Sequence, residues 1–221
     1  MKITIPTTLS DITLGQWMRW QKLIKEESQD ETVLSLFLVM IFCNITSNEA
    51  LQIKSKDLKE ISNDILVVLQ SKPRDLHRFT TNGKEFGMIP NFDEMTAGEY
   101  IDLDKYFDDP ENFDRAMAVL FRPITNKQGA NYLIEKYKGS DVYKETMANI
   151  PLEILFSSQV FFYNLSKELL TATRAYIQSP QGVELEQALS KSGGGINQFI
   201  QSLEKASSIL TAQLDYQSTY F

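Results

Sequence analysis

One local pattern occurs twice in the chain, and it constrains the fold more than any other feature. The pattern is Ile-Pro, a short turn, an apolar residue, Thr-x-Gly-(Gln/Glu) and an aromatic residue, first around Thr13 and again around Thr96. A Thr followed three residues later by Gln or Glu predicts a capping box, in which each side chain satisfies a free backbone N–H at the start of a helix. A single box is common by chance. Two boxes with the same proline, glycine and aromatic predict a diverged internal duplication.

The two boxes assign the residues that begin two helices. In each copy the aromatic residue is expected to pack on the apolar residue before the cap, Ile12 or Met95, as a hydrophobic staple. The predicted capping residues are Thr13, Gln16 and Trp17 in the first copy and Thr96, Glu99 and Tyr100 in the second. These assignments predict where helices begin and say nothing about activity.

Apolar stripes predict helices through most of the remaining core. Residues 29–43 are apolar nearly all round and are expected to form a central helix, and residues 151–178 are expected to form the longest helix, along the axis of the core. Asn82-Gly83 predicts a type I′ turn and therefore a β-hairpin within residues 79–88. The fold class predicted is mainly α: a helical domain with a diverged internal duplication, a small β-hairpin and a C-terminal tail helix.

The domain organisation follows from this duplication. Residues 1–178 are expected to form a helical core with pseudo-repeats at about 1–78 and 79–178. The apolar helix of the second copy is expected to stop at Pro123, which places residues 121–124 where residues 42–45 lie in the first copy. Arg122, in apolar surroundings, is expected to form an ion pair with Glu99 or Asp102.

The composition changes after Ser179, where aromatic residues become fewer and residues 190–195 form a Gly/Ser joint. Residues 179–221 are therefore expected to form an interaction tail whose helix has one apolar face. Its predicted partner-binding residues are Phe199, Leu203, Leu210, Leu214, Tyr216, Tyr220 and Phe221. The alternative is a helix that docks back on its own core, and the joint and the aromatic residues favour binding to another chain.

Neither the composition nor any motif predicts a reaction. A net charge of -7 disfavours nucleic-acid binding, which needs clustered Lys and Arg. His77 has no partners for a catalytic set, and the single cysteine, Cys43, is expected to be a buried, inert thiol. The acidic residues of 102–114 do not fit a calcium-binding loop. We therefore expect a non-enzymatic protein with no catalytic residues, cofactor, bound metal, membrane segment or secretory signal.

Several stretches in a fixed order resemble a family of tailed-bacteriophage proteins. They are FGMIPNFDEMTAGEYIDLDKYF, AMAVLFRPI, YLIEKY and FFYNLSKELL, and the opening IPTTLSDITLGQWMRWQKL is similar to the start of that family. The resemblance covers about the first 175 residues. Members of the family are regarded as tail assembly chaperones or as structural components of the virion, and the family supplies no catalytic residues.

The resemblance implies a structural protein that acts through protein–protein contacts in the head–tail connector or tail. Its partners would be other phage structural proteins and further copies of itself, and it would be located in the virion, or in the host cytoplasm during assembly. One alternative is a tail assembly chaperone that is absent from the mature virion. The other is an enzyme whose site the sequence does not reveal, which the lack of a convergent His, Cys or carboxylate set disfavours.

Overall fold

A computed structural model describes residues 2–26, 30–129 and 131–177 of the chain. Two compact units are distinguished, Met1–Ser157 and Ser158–Phe221. The first unit contains nearly all of the described secondary structure. In the second unit the described residues, 158–177, continue the last helix. The predicted tail, residues 179–221 with its seven partner-binding residues, lies outside the described part of the chain.

The chain is mainly helical from Leu14 to Leu69, before the sheet begins. The helices in this range are α1 (Leu14–Glu26), α2 (Glu31–Phe42), α3 (Ser47–Ala50) and α4 (Ser55–Leu69). Side chains satisfy the first N–H groups of α2 and α3: Asp30 accepts from the N–H groups of Thr32 and Val33, and Thr46 forms a capping box with Glu49. Helix α4 packs against α2. At the end of α2, Asn44 has a φ of 53°, which turns the chain towards α3.

The sheet is larger than the predicted hairpin. Its four antiparallel strands, in the order β1-β2-β3-β4, are β1 (Arg78–Thr81), β2 (Lys84–Met88), β3 (Phe121–Gln128) and β4 (Asn131–Ile134). The predicted hairpin is present as β1 and β2, and its turn residues Asn82 and Gly83 have φ values of 49° and 70°. The prediction of a hairpin alone was therefore incomplete, because β3 adds to β2 from 33 residues further along the chain in the pair Met88↔Phe121.

Further helices follow β2: α5 (Ala97–Tyr106), α6 (Phe113–Leu120), α7 (Lys144–Ala148) and α8 (Leu152–Ile177). Each of the two predicted copies contains two successive helices, α1 and α2 or α5 and α6, but the chain takes different courses after them. After α2 it turns at Asn44, whereas after α6 it enters β3 directly. The prediction that the helix of the second copy extends to Pro123 was wrong, because Pro123 pairs with Phe86 as a strand residue. Superposition of the two helix pairs stays a prediction.

The sequence predicted α2 to be a central helix, but α6 is far more completely buried than α2. All residues of α6 except Arg115 are buried, whereas in α2 only Leu38, Val39 and Phe42 are. Helix α6 is short and lies between α5, α7 and the sheet, so its whole circumference is covered. The apolar character of α2 therefore did not distinguish full burial from burial of one face.

The start of α8 joins segments that lie far apart in the sequence. The N–H of Leu14 donates to the carbonyl of Ile150 at 2.9 Å, and the N–H of Leu152 donates to the carbonyl of Ile12 at 2.8 Å. The buried carboxylate of Glu153 accepts from the Ser10 hydroxyl at 2.6 Å and from the Arg74 guanidinium at 2.7 and 2.8 Å. The N-terminal segment is thus fixed by residues at the end of the first unit.

Candidate functional site

A groove of about 990 Å³ lies between the start of α5 and the last two strands. Its lining combines the loop after β2, the cap of α5, strand β3, and strand β4 with the segment that follows it. The lining residues used below are Ile89, Pro90, Glu94, Met95, Thr96, Glu99, Arg122, Leu133, Ile134, Glu135, Lys136, Tyr137 and Lys138. We call this the α5–β4 groove. Its volume is at the upper end of the range of ligand sites.

A buried ion pair lines the groove. Arg122 and Glu99 are each 5% exposed, and Nη1 of Arg122 contacts Oε1 of Glu99. The other carboxylate oxygen, Oε2, accepts from the backbone N–H of Thr96 at 2.6 Å and from its hydroxyl at 2.7 Å. The predicted pairing of Arg122 with Glu99 is therefore present. One glutamate both caps α5 and faces the arginine of β3.

The hydrogen bonds of Glu99 determine its charge. Burial acts to raise the pKa of this carboxyl, but hydrogen bonds from Thr96 and the guanidinium of Arg122 outweigh it, and the pKa lies below its usual range. Glu99 is therefore ionised at neutral pH, and the arginine beside it is charged under all ordinary conditions. The groove contains a true ion pair.

The ion pair leaves the buried Nε–H of the arginine without a protein acceptor. A guanidinium carries five N–H donors. The Nε and Nη1 atoms of Arg122 are buried and make no hydrogen bond of acceptable geometry to any described residue, although Nη1 is in ion contact with Glu99. The guanidinium also stacks on an aromatic ring, with its Cζ 5.4 Å from the centroid of Tyr137. The arginine is held in place while its Nε–H has no acceptor among the described residues.

Tyr137 is fixed in turn by α5. Its hydroxyl donates to Oδ2 of Asp102, and burial together with this contact raises the pKa of the phenol. Asp102, the other predicted partner of Arg122, therefore binds the tyrosine that supports the arginine. The contacts of Glu99 and Asp102 connect one helix to β3 and to the segment after β4.

The face of the sheet that carries Arg122 is shaped by a glycine. Gly87 pairs with both Arg78 and Arg122, so these three residues lie on the same face. The ring of Tyr132 covers Gly87, its hydroxyl donates to the carbonyl of Met88 at 2.9 Å, and Arg78 lies 5.7 Å from the ring centroid. Phe86 and Phe121 are buried on the opposite face, which belongs to the core.

Part of the groove wall is apolar. Its apolar members come from the loop after β2, the residue before the cap and strand β4: Ile89, Pro90, Met95, Leu133 and Ile134. Leu133 is 62% exposed. The groove therefore presents a buried cation beside an exposed aliphatic surface.

The predicted capping residues are found at helix starts. The N–H of Thr13 donates to Oε1 of Gln16 at 2.8 Å, and the N–H of Gln16 donates to the Thr13 hydroxyl at 3.2 Å. Trp17 is buried, with its ring 5.3 Å from that of Phe156. Thr96 is the N-cap of α5 and forms the box with Glu99.

The staple of the second copy differs from its prediction. Tyr100 is 65% exposed, so packing on Met95 does not bury its ring. The helix that follows the cap has little protein over this face, whereas Trp17 in the first copy meets the core. The aromatic residues that follow the two predicted capping boxes thus have different surroundings.

The remaining reactive side chains do not converge. Within residues 2–26, 30–129 and 131–177, no three His, Cys, Asp or Glu residues are placed to hold a metal ion, and no helix is long and apolar enough to cross a membrane. Burial raises the pKa of the Cys43 thiol to about 11, which makes it a poor nucleophile. His77 lies 3.0 Å from Asp75 at the surface.

Comparisons of the chain with protein-family models, with curated proteins and with solved structures gave no match.

Proposed function

We propose that this protein is a non-enzymatic structural component of a tailed bacteriophage that acts through protein–protein contacts in the head–tail connector or tail. Its partners in this role are other phage structural proteins and further copies of the chain. The sequence resemblance supplies the phage context, and the α5–β4 groove supports the mode of action.

The observation that carries the contact-forming role is exposed apolar surface on both elements that border the groove. Tyr100 and Ile101 on α5 are 65% and 61% exposed, and Leu133 on β4 is 62% exposed. Single exposed apolar residues are normal on a protein surface. Three large ones on the two elements that border one groove, with Leu133 in the groove lining itself, are typical of a surface that binds another protein.

The location in the particle is tested by quantitative mass spectrometry of purified virions from a phage that encodes this chain. A structural component is expected at a fixed ratio to the major tail or connector proteins, and the ratio should survive a high-salt wash. Detection in the lysate with absence from the particles would overturn the structural role.

The same groove also suits a tail assembly chaperone, which binds a partner segment during assembly and is absent from the mature virion. That role is the second candidate. It predicts recovery of the chain in complex with an unassembled tail protein from infected cells, and none in the particles.

A further inference from the structure

We propose that the α5–β4 groove binds a short extended segment of a partner protein that carries a carboxylate side chain next to apolar residues. This proposal rests on the contact-forming role proposed above and does not depend on a location in the phage particle. The carboxylate is received by Arg122 and the apolar residues by the wall around Leu133.

The unused Nε donor of Arg122 carries this inference. Buried polar groups in proteins are nearly always hydrogen-bonded, because an unsatisfied buried donor costs about 1–3 kcal/mol. Arg122 is 95% buried, lines the groove, and has a buried Nε with no acceptor among the described residues. A planar guanidinium matches a carboxylate in a two-point contact better than it matches any neutral group.

Stacking prepares the arginine for this contact. Its guanidinium is held over Tyr137, and Tyr137 is held by Asp102, so little side-chain entropy remains to be lost on binding. Glu99 holds one edge of the guanidinium through Nη1. A second carboxylate would therefore meet an arginine that is already positioned.

The charges around the groove favour a single carboxylate over a polyanion. Of its lining carboxylates, Glu99 is bonded to Thr96 and Arg122, and Glu135 is bonded to Lys138 and Tyr143. Glu94 and Lys136 line the groove as well, and neither forms an ion pair with another described residue. A nucleic acid would bring several phosphates towards Glu94, Glu99 and Glu135, which repel them.

The aliphatic wall decides between a peptide and a small anion. A free phosphate or acetate would satisfy Arg122 but would leave the exposed Leu133 and the half-buried Ile134 and Met95 uncovered. A peptide with apolar residues beside its Asp or Glu covers both parts of the surface, and a groove of about 990 Å³ has room for several side chains.

The test begins with selection of peptides from a random displayed library on the full-length chain. Selected peptides are expected to share one Asp or Glu flanked by apolar residues. Synthetic peptides with that residue changed to Asn or Gln should bind at least about tenfold more weakly, as expected when a charged partner is removed from a buried arginine. Affinity is measured by fluorescence anisotropy of a labelled peptide.

Two exposed residues provide matched variants. Leu133→Arg adds a bulky cation to the groove wall, and Val67→Arg makes the same change at a residue of α4 that is 68% exposed and not part of the groove. Leu133→Arg should weaken the selected peptides at least about tenfold, and Val67→Arg should leave the affinity unchanged within about twofold.

The arginine is tested by the double change Glu99→Gln with Arg122→Gln. Removing both charges avoids leaving one of them buried and unpaired. A Gln can take the place of Glu99 in the capping box, because Gln16 has that role in the box with Thr13. The double variant should keep its thermal melt and lose the preference for Asp or Glu over Asn or Gln. If the double variant does not fold, the inference is tested by the wild-type chain alone, from its affinities for the acidic peptide and for the same peptide with Asn or Gln.

Three results would overturn the inference: a library that yields no binder sensitive to Leu133→Arg, selected peptides without an acidic residue, or displacement of the peptide by an oligothymidylate that binds through Arg122. None of them bears on whether the chain is found in virions. Conversely, absence from virions would leave the peptide result standing.

Discussion

At Gly87 the sheet has no room for a side chain. A Cβ there would lie 2.4 Å from Cε2 and 2.9 Å from Cδ2 of Tyr132, so the ring would have to move. The same ring donates the hydrogen bond to Met88 and contacts Arg78. Because the ring is held at several points, the clash cannot be relieved cheaply.

We therefore expect Gly87→Ala to lower the free energy of unfolding by about 1–3 kcal/mol, the usual cost of overpacking. The matched control is Gly98→Ala on α5, where a Cβ would lie 3.7 Å from the ring of Tyr137. That change should be neutral or stabilise by up to about 1 kcal/mol, since alanine is the better helix former. Urea unfolding measures both, and equal effects of the two changes would contradict the role given to Tyr132.

Glu153 makes stability depend on pH in the acid range. Hydrogen bonds from Arg74 hold the pKa of this carboxyl at about 2, below its ordinary value of 4.5, against the opposing effect of burial. A carboxyl whose folded-state pKa is depressed stabilises the fold above its unfolded pKa. That contribution is lost as the pH falls from about 4.5 towards about 2.

Glu153→Gln should thus cost on the order of 2 kcal/mol at neutral pH, the scale of hydrogen bonds to a charged group. The difference between wild type and variant should shrink as the pH falls through that window. Glu60→Gln, which removes an exposed i,i+4 pair with Lys56, serves as the control and should cost less than about 0.5 kcal/mol. The measurement is thermal unfolding at a series of pH values, and a difference independent of pH would contradict the assignment.

At the scale of elements, the capping boxes determine where two helices start. Thr13→Ala and Thr96→Ala should each cost about 1 kcal/mol, because each removes an acceptor for a backbone N–H. Thr→Ser at either position keeps the hydroxyl and should cost only a few tenths of a kcal/mol. Chemical denaturation compares the four variants. Equal losses for Ala and Ser would show that the methyl group, not the cap, stabilises these helix starts.

The elements that the sequence predicted well are those with local signals. The capping boxes and the Asn82-Gly83 turn are set by residues a few positions apart, and both are present. Strands β3 and β4 were missed because Phe121 follows a helix without a break and the partners of β3 lie far away in the chain. An apolar run alone does not distinguish a strand from the end of a buried helix.

In the candidate site, too, the local features were predictable from the sequence and the long-range ones were not. The contact of Arg122 with Glu99 was predictable, because a charged residue in apolar surroundings needs a partner. The groove around them was not, since it depends on Leu133, Ile134 and Tyr137, which reach it only through the pairing of β4 with β3. The alternation of Tyr132 and Ile134 was the only sequence signal for that strand.

At the scale of the whole molecule, the tail remains a prediction. Ending the chain after Ser179 should leave the melting temperature of the first unit unchanged and abolish binding to other chains, measured by sedimentation. As the matched change in the full-length chain, Phe199→Ser with Leu203→Ser should have the same effect, since a few buried apolar residues carry most of an interface. If the core unfolds without residues 180–221, the tail belongs to the domain and not to a partner.

The contacts at the start of α8 also have a consequence for synthesis. Ser10 and Glu153 are 143 residues apart, and the backbone bonds of Ile12 and Leu14 likewise join residues near Leu152. At about 5–20 residues per second, a ribosome needs roughly 7–29 s to cover that distance. Throughout this interval Trp17 lacks its contact with Phe156, so the nascent chain exposes part of an apolar surface until the start of α8 emerges. A slow step in translation before that point would prolong the time during which chaperones and proteases meet the unfinished first unit.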